Sequence, residues 1–143
     1  MTRPKKGARK DRANPETDPR PQKKGLQQLG EDLEIHAKAW IAAGGEAFLA
    51  YGRILLLEGI RDLGSISAAA RSIRMSYRRA WWHIETMNRL AKRPLVKTSV
   101  GGKAGGGAQL TPEGVAAVSI YRVLDRRTKT FEERIKKELS ERS

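Results

Sequence analysis

The spacing of apolar positions changes period several times along the chain, and each change marks an element. Leu33, Ile35, Ala37, Ala39 and Ile41 alternate with Glu34, His36, Lys38 and Trp40, the period of a strand with two unlike faces. Gly44-Gly45 supplies a turn and Glu46 to Leu49 a return strand, so residues 33–49 read as a β-hairpin with Trp40 on the face of His36. An isolated hairpin is marginal in water and must pack on something. From Arg53 the period lengthens to that of a helix. Leu56, Ile60 and Leu63 share one face with Ile54 and Leu57 beside it, and Gly64 stands where a left-handed C-terminal cap belongs, which gives a packed helix over 53–64.

Residues 65–90 read as two short helices and a tight turn. Ser67 is the expected cap of the first, whose Ala69, Ala70 and Ile73 fall on one side and let a second helix approach closely. Arg74-Met75 makes the turn, with Arg74 where a Gly would be easier. Ser76 is the expected N-cap of the second helix. Ala80, Ile84 and Met87 then recur at inward positions and leave Tyr77, Arg78, Arg79, Trp82 and His83 facing outward. Trp81 is assigned to packing before any outward role.

Pro94 ends that helix. Leu95 to Val100 reads as a strand, GGKAGGGA as a loop and Gln109-Leu110 as the return, giving a glycine-rich hairpin over 95–111 with Lys103 near its tip. A phosphate-binding P-loop fails here, because Lys97 occupies the position of its first Gly and Ala104 follows Lys103 where Ser or Thr is required. Thr111-Pro112-Glu113 then opens a helix expected over 112–139 with a cap, a Pro at its first position and an acid in its first turn. Along it Ala117, Leu124 and Phe131 are spaced by seven, with Tyr121, Thr128 and Ile135 four after each, a heptad-like seam suited to a helical dimer contact or to packing on the helix's own domain.

Charge sharpens this picture. The 143 residues carry a net charge of +13, from 29 Lys and Arg against 16 Asp and Glu, which favours a polyanionic partner. The excess is uneven: residues 1–24 hold nine basic and three acidic side chains and 53–110 hold eleven and three, whereas 25–52 is net acidic. Residues 1–28 are expected to be a disordered basic tail, either solubilising or adding phosphate contacts, ahead of one domain over 29–143. There is no Cys, no apolar run long enough to span a bilayer and no signal-peptide core, so a cytoplasmic protein without membrane contact is expected. Only two His are present and no nucleophile–base pair, paired carboxylates or cofactor loop emerges, so no metal site, no cofactor and no enzymatic activity are expected.

These elements predict a mainly α fold with small β-hairpins, a winged helix-turn-helix with a long C-terminal helix. Its second short helix would meet double-stranded DNA through Ser76, Tyr77, Arg78, Arg79, Trp82 and His83, with Ser67 and Lys103 at the edges. Arginine can donate in bidentate fashion to guanine or clamp phosphate, and Trp82 can pack on sugar or a thymine methyl. The alternative is an architectural or non-specific basic DNA-binding protein, for which the tail and the net charge would suffice.

GSISAAA at Gly64 to Ala70, MSYRRAW at Met75 to Trp81, MNRL at Met87 to Leu90 and PLVKTSVGGKAGGGAQLTPEG at Pro94 to Gly114 resemble the N-terminal DNA-binding domain of the ModE family of molybdate-responsive transcription regulators. The resemblance covers roughly Leu33 to Phe131; the helix-turn-helix alone is also similar to LysR-type regulators. It implies a homodimeric regulator on a palindromic operator near molybdate uptake or molybdoenzyme genes. Full-length family members carry C-terminal molybdate-binding domains, for which a chain ending at Ser143 has no room. Molybdate binding is therefore not expected of it, and the controlling signal is expected to come from elsewhere or to be absent.

Overall fold

The computed structural model describes residues 24–100 and 107–142. Most of the expected basic tail and Lys103 lie outside the described residues. The architecture is mainly α, with four α-helices and two small antiparallel hairpins among the described residues. In chain order these are β1 (Ile41–Ala43), β2 (Glu46–Leu49), α1 (Tyr51–Leu63), α2 (Ile66–Ser72), α3 (Tyr77–Leu90), β3 (Val96–Ser99), β4 (Gly107–Leu110) and α4 (Pro112–Glu141).

α1 is the centre of the core. Its Ile54, Leu56, Leu57 and Ile60 are fully buried, joined by Ala69 and Ala70 of α2, Ala80, Ile84 and Met87 of α3, and Ala117, Val118 and Tyr121 of α4. Each large apolar side chain so enclosed contributes about 1.5–3 kcal/mol. Gly64 caps α1 in the left-handed conformation, its N–H reaching the Ile60 carbonyl. Leu63, expected on the packed face, is instead exposed.

The first hairpin is shorter than its alternating pattern. β1 begins only at Ile41, pairs with Leu49, Ala47 and Glu46 and carries a bulge after Ile41. β2 has four residues before α1 starts, and a strand extends no further than its partner. Residues 33–40 keep the alternation without the ladder. Ile35, Ala37 and Ala39 turn inward while Glu34, His36, Lys38 and Trp40 stay exposed, and the segment lies as a strap along α4. The Ala37 N–H donates to Glu132 Oε2 at 2.8 Å and the Tyr121 hydroxyl to the Ala39 carbonyl at 3.4 Å. Gly25–Gln28, expected within the disordered tail, form a 3-10 turn. Leu26 is half-buried there, and Gly25 sits so close to the Leu139 carbonyl that no side chain fits.

α2 is capped by Ser65 rather than Ser67: the Ser65 Oγ accepts from Ala68 N at 3.2 Å, and Ser67 lies one turn position inside the helix and exposed. The helix ends in a Schellman motif. Met75 N–H bonds to the Ala70 carbonyl and Arg74 N–H to the Arg71 carbonyl. Arg74 takes the left-handed position at φ 55°, where a residue with a Cβ costs about 1–2 kcal/mol.

β3 and β4 pair from Val96↔Leu110 to Ser99↔Gly107, and β4 begins two residues earlier than its sequence pattern indicates. α4 opens on Thr111, whose hydroxyl donates to the Pro94 carbonyl at 2.6 Å and accepts from Gly114 N at 3.1 Å. A Cβ at Gly114 would stand 2.2 Å from the Leu95 carbonyl oxygen. Gly→Ala in a helix ordinarily stabilises by about 0.5–1 kcal/mol; Gly114→Ala is expected to reverse that sign and cost about 1–3 kcal/mol, read as a lower denaturant midpoint at unchanged slope.

Candidate nucleic-acid interface

The outward surface of α3 is set by its first turn. The Ser76 Oγ accepts from Arg79 N at 3.2 Å, a cap that contributes about 0.5–2 kcal/mol. With 3.6 residues per turn, the face opposite Ala80, Ile84 and Met87 carries Arg78, Trp82, Glu85 and Arg89, all exposed. Tyr77 and Arg79 border it on either side and are exposed as well. Glu85 and Arg89 were missed by sequence reasoning, although the same periodicity places them. Arg89 pairs with Glu46 of β2 at 2.7 Å. Trp81 is half-buried against the core and meets the edge of Tyr77.

His83 does not look outward as expected. It is half-buried, and its Nδ1 accepts from Nε of Arg53 at 3.0 Å. Arg53 is itself buried and also donates through Nη1 to the carbonyls of Ala47 and Phe48. Its guanidinium lies 5.5 Å from the centre of the Trp82 ring, whose other neighbour is His83 at 4.9 Å between ring centres. One guanidinium thus ties α1, the first hairpin and α3 together and braces Trp82 from behind. Burial first, then the positive charges of Arg53 and Arg79, hold the His83 pKa below its ordinary value, so the imidazole serves as a neutral acceptor.

The second hairpin is fixed to this surface at its base. Asn88 of α3 accepts from Leu95 N at 2.8 Å and Val96 N at 3.3 Å and donates back to the Val96 carbonyl. Ala108 N donates to the Gly64 carbonyl at 3.0 Å. Between hairpin and helices lies a cleft of about 270 Å³ lined by Ser65, Ser67, Tyr77, Trp81, Thr98 and Ser99 among others. The cleft brings Ser67 and Tyr77 together with hydroxyls of β3 that sequence reasoning passed over. Short side-chain hydroxyls beside a basic helix start are suited to contacting a phosphate backbone.

The expected heptad seam on α4 is divided. Ala117 and Tyr121 are buried within this chain, and Leu124 packs against the same core. Thr128 and Ile135 are half-buried, and only Phe131 is exposed. The repeat is largely satisfied internally, by α1 and the strap. The unpartnered apolar side of α4 is displaced from it and carries Ala116, Ile120 and Val123. Ile120 and Ala116 form one wall of a groove of about 440 Å³ whose other sides include Ile41, Phe48, Leu90 and Ala91.

Among the described residues no helix is long and apolar enough to cross a membrane, and no group of three metal-ligating side chains occurs. No family model matches the chain. Among curated proteins it is similar to the molybdenum transport protein ModE of Azotobacter vinelandii, 45% identical over 89 residues, 62% of this chain and 33% of that protein. It is similar to the molybdenum-pterin-binding protein MopB of Rhodobacter capsulatus, 47% identical over 73 residues, 51% of this chain and 27% of that protein. The transcriptional regulator ModE of Haemophilus influenzae is 42% identical over 74 residues, 52% of this chain and 29% of that protein. The chain therefore spans about a third or less of the length of these relatives. Identities at this level over half the chain or more support the ModE family.

A depressed histidine pKa favours the fold most when the imidazole is neutral. The stabilisation from His83 is complete above the ordinary value of 6.5 and is lost as the pH falls toward the lower folded-state value. The melting midpoint should therefore fall as the pH drops below about 7, and His83→Gln, which keeps an acceptor but does not titrate, should flatten part of that fall. The same slope in His83→Gln would place the titration on another group.

Proposed function

We propose that the chain is a sequence-specific DNA-binding transcription regulator of the ModE type, in which α2, its turn and α3 form a helix-turn-helix and β3–β4 its wing. The observation that carries this reading is the first turn of α3, where a capped helix start presents Arg78 and Arg79 to solvent beside a hydroxyl-lined cleft at the hairpin base. Helix N-terminal residues reach base edges in the major groove while the free amides and the dipole favour phosphate. Arg78, in line with Trp82 on the centre of the outward face, is assigned to a base edge. Arg79, turned toward the Arg53–His83 side, is assigned to phosphate, with Ser67, Tyr77, Thr98 and Ser99 along the backbone. Lys103 would extend this contact from the wing, and Trp82 would pack on sugar or a thymine methyl.

The relatives named transcriptional regulator ModE and molybdenum transport protein ModE support assigning the target genes to molybdenum uptake or use. A second copy is proposed to dock in the apolar groove between α4 and the C-terminal end of α3. A two-fold contact there places one α3 on each side of the axis, as a palindromic site requires. Ile120, exposed at 58% of its full surface on the wall of that groove, supplies its centre.

A duplex selected from a randomised pool should bind at least about a thousandfold more tightly than mixed-sequence DNA; equal affinities would favour a non-specific architectural binder. Arg78→Ala should cost about 1–3 kcal/mol on the selected duplex and much less on mixed sequence. Ile120→Glu should convert a sedimenting dimer to monomer without lowering the melting midpoint of the monomer fold. An unchanged dimer would refute the groove as the interface.

A further inference from the structure

Arg74 is the C′ residue of the Schellman motif that ends α2, the position at which a helix most often carries Gly. It is held at φ 55° and exposed. No hydrogen bond or ion pair of its side chain to another described residue compensates the strain. Strain retained at an exposed position without a compensating contact points to a role outside the fold. The surroundings indicate which role. Arg71 lies on the last turn of α2 and Arg78 and Arg79 on the first turn of α3; all are exposed, and no acidic residue occurs in the sequence between Asp62 and Glu85. Arg53, Arg61, Arg89 and Arg122, by contrast, each have a partner within the described residues.

We propose that the α2–α3 turn is a phosphate-binding corner in which the guanidinium of Arg74, with Arg71, grips the DNA backbone at the wall of the groove that α3 enters. The inference rests on the DNA-binding reading above. Arg74 stands two residues before the Ser76 cap, so at most about 7 Å of chain separates it from the residue that opens α3. With that turn inserted in a major groove about 12 Å wide, the next structure within reach of an arginine on the preceding corner is the sugar–phosphate strand. Arginine suits this place because its planar fork grips phosphate oxygens in bidentate fashion. The requirement is for charge and reach, not for base reading, so the contact is independent of sequence.

The test separates strain from charge in the full chain. Arg74→Gly and Arg74→Asn both suit a left-handed backbone and remove the charge; Arg74→Lys keeps the charge and the strain. Binding to a mixed-sequence duplex of about 20 base pairs is measured against salt, together with the melting midpoint of each variant. The Gly and Asn variants should melt no lower than the parent, yet bind about three- to tenfold more weakly near 0.1 M salt, with a log–log salt slope smaller by about one. Arg74→Lys should keep the parent's slope. An unchanged slope in the Gly and Asn variants, or a lower melting midpoint in both, overturns the proposal while leaving DNA binding by α3 intact. A parent chain with no salt-dependent duplex affinity overturns the DNA-binding reading itself and this proposal with it.

Discussion

The arrangement of the outward surface depends on one buried charge. Arg53 is enclosed at the junction of α1, the first hairpin and α3, where burial weighs against its ionised form. Desolvation of a guanidinium is tolerated only when its donors are used. Here Nη1 reaches two carbonyls at the end of β2 and Nε reaches His83, while the flat of the group faces Trp82. A lysine in this place would offer one point charge instead of a planar fork and would satisfy the hairpin or the histidine but not both. Because the acceptors come from different elements, the same bonds that satisfy the charge fix the hairpin against α3. The orientation of Trp82 is therefore a property of the core.

A second constraint acts at the other side of α3. The Thr111 hydroxyl caps α4 and at the same time donates to the Pro94 carbonyl, and Asn88 gathers the backbone at the start of β3. The end of α3, the base of the second hairpin and the start of α4 are thereby held at one point. Beyond it, Arg122 pairs with Glu58 of α1 through both Nε and Nη2, which sets the direction of α4 across the core. The strap from Gly25 to Trp40 runs back along the far part of α4, with the Glu132 carboxylate held below its usual range by the Ala37 N–H and then by Lys136. A helix of 30 residues, about 45 Å long, is thus supported well beyond the part that packs on α1.

Much of this was legible because local chemistry and tertiary packing agree. Gly64, Ser76 and Thr111-Pro112 mark helix ends by mechanisms that operate within a few residues, and each stands where its chemistry indicates. The alternation over residues 33–41 reports which side chains turn inward but not what lies beside the backbone, so a strap on α4 and a strand share one pattern. The heptad on α4 is ambiguous in the same way, since a periodic apolar face does not say whether its partner is α1 or another chain. His83 was misplaced because nothing in its neighbourhood along the chain announces Arg53, thirty residues earlier. Ser65 lost its cap assignment to Ser67 because the two serines differ only by where the helix begins. The hydroxyls of Thr98 and Ser99 gained their significance only when folding set them beside Tyr77 and Ser67.

The net charge of +13 is best understood by what its arginines do. Arg53, Arg89 and Arg122 bridge elements and find acceptors on them, carboxylates for Arg89 and Arg122 and uncharged groups for Arg53; their donors are engaged by the fold. Those from Arg71 to Arg79 sit on a corner and a helix start, exposed, in a stretch free of acids, so their fields add rather than cancel. Glu85 lies on the same helix one turn beyond Trp82 and limits that field to the start of α3. A polyanion approaching this face is drawn to the turn and the first residues of α3, the part whose geometry Ser76 and the Schellman motif fix most closely. On the proposed reading, charge concentrated where hydrogen bonds define the backbone gives an otherwise unspecific attraction one orientation, and orientation is what a side chain such as Arg78 would need in order to distinguish one base pair from another.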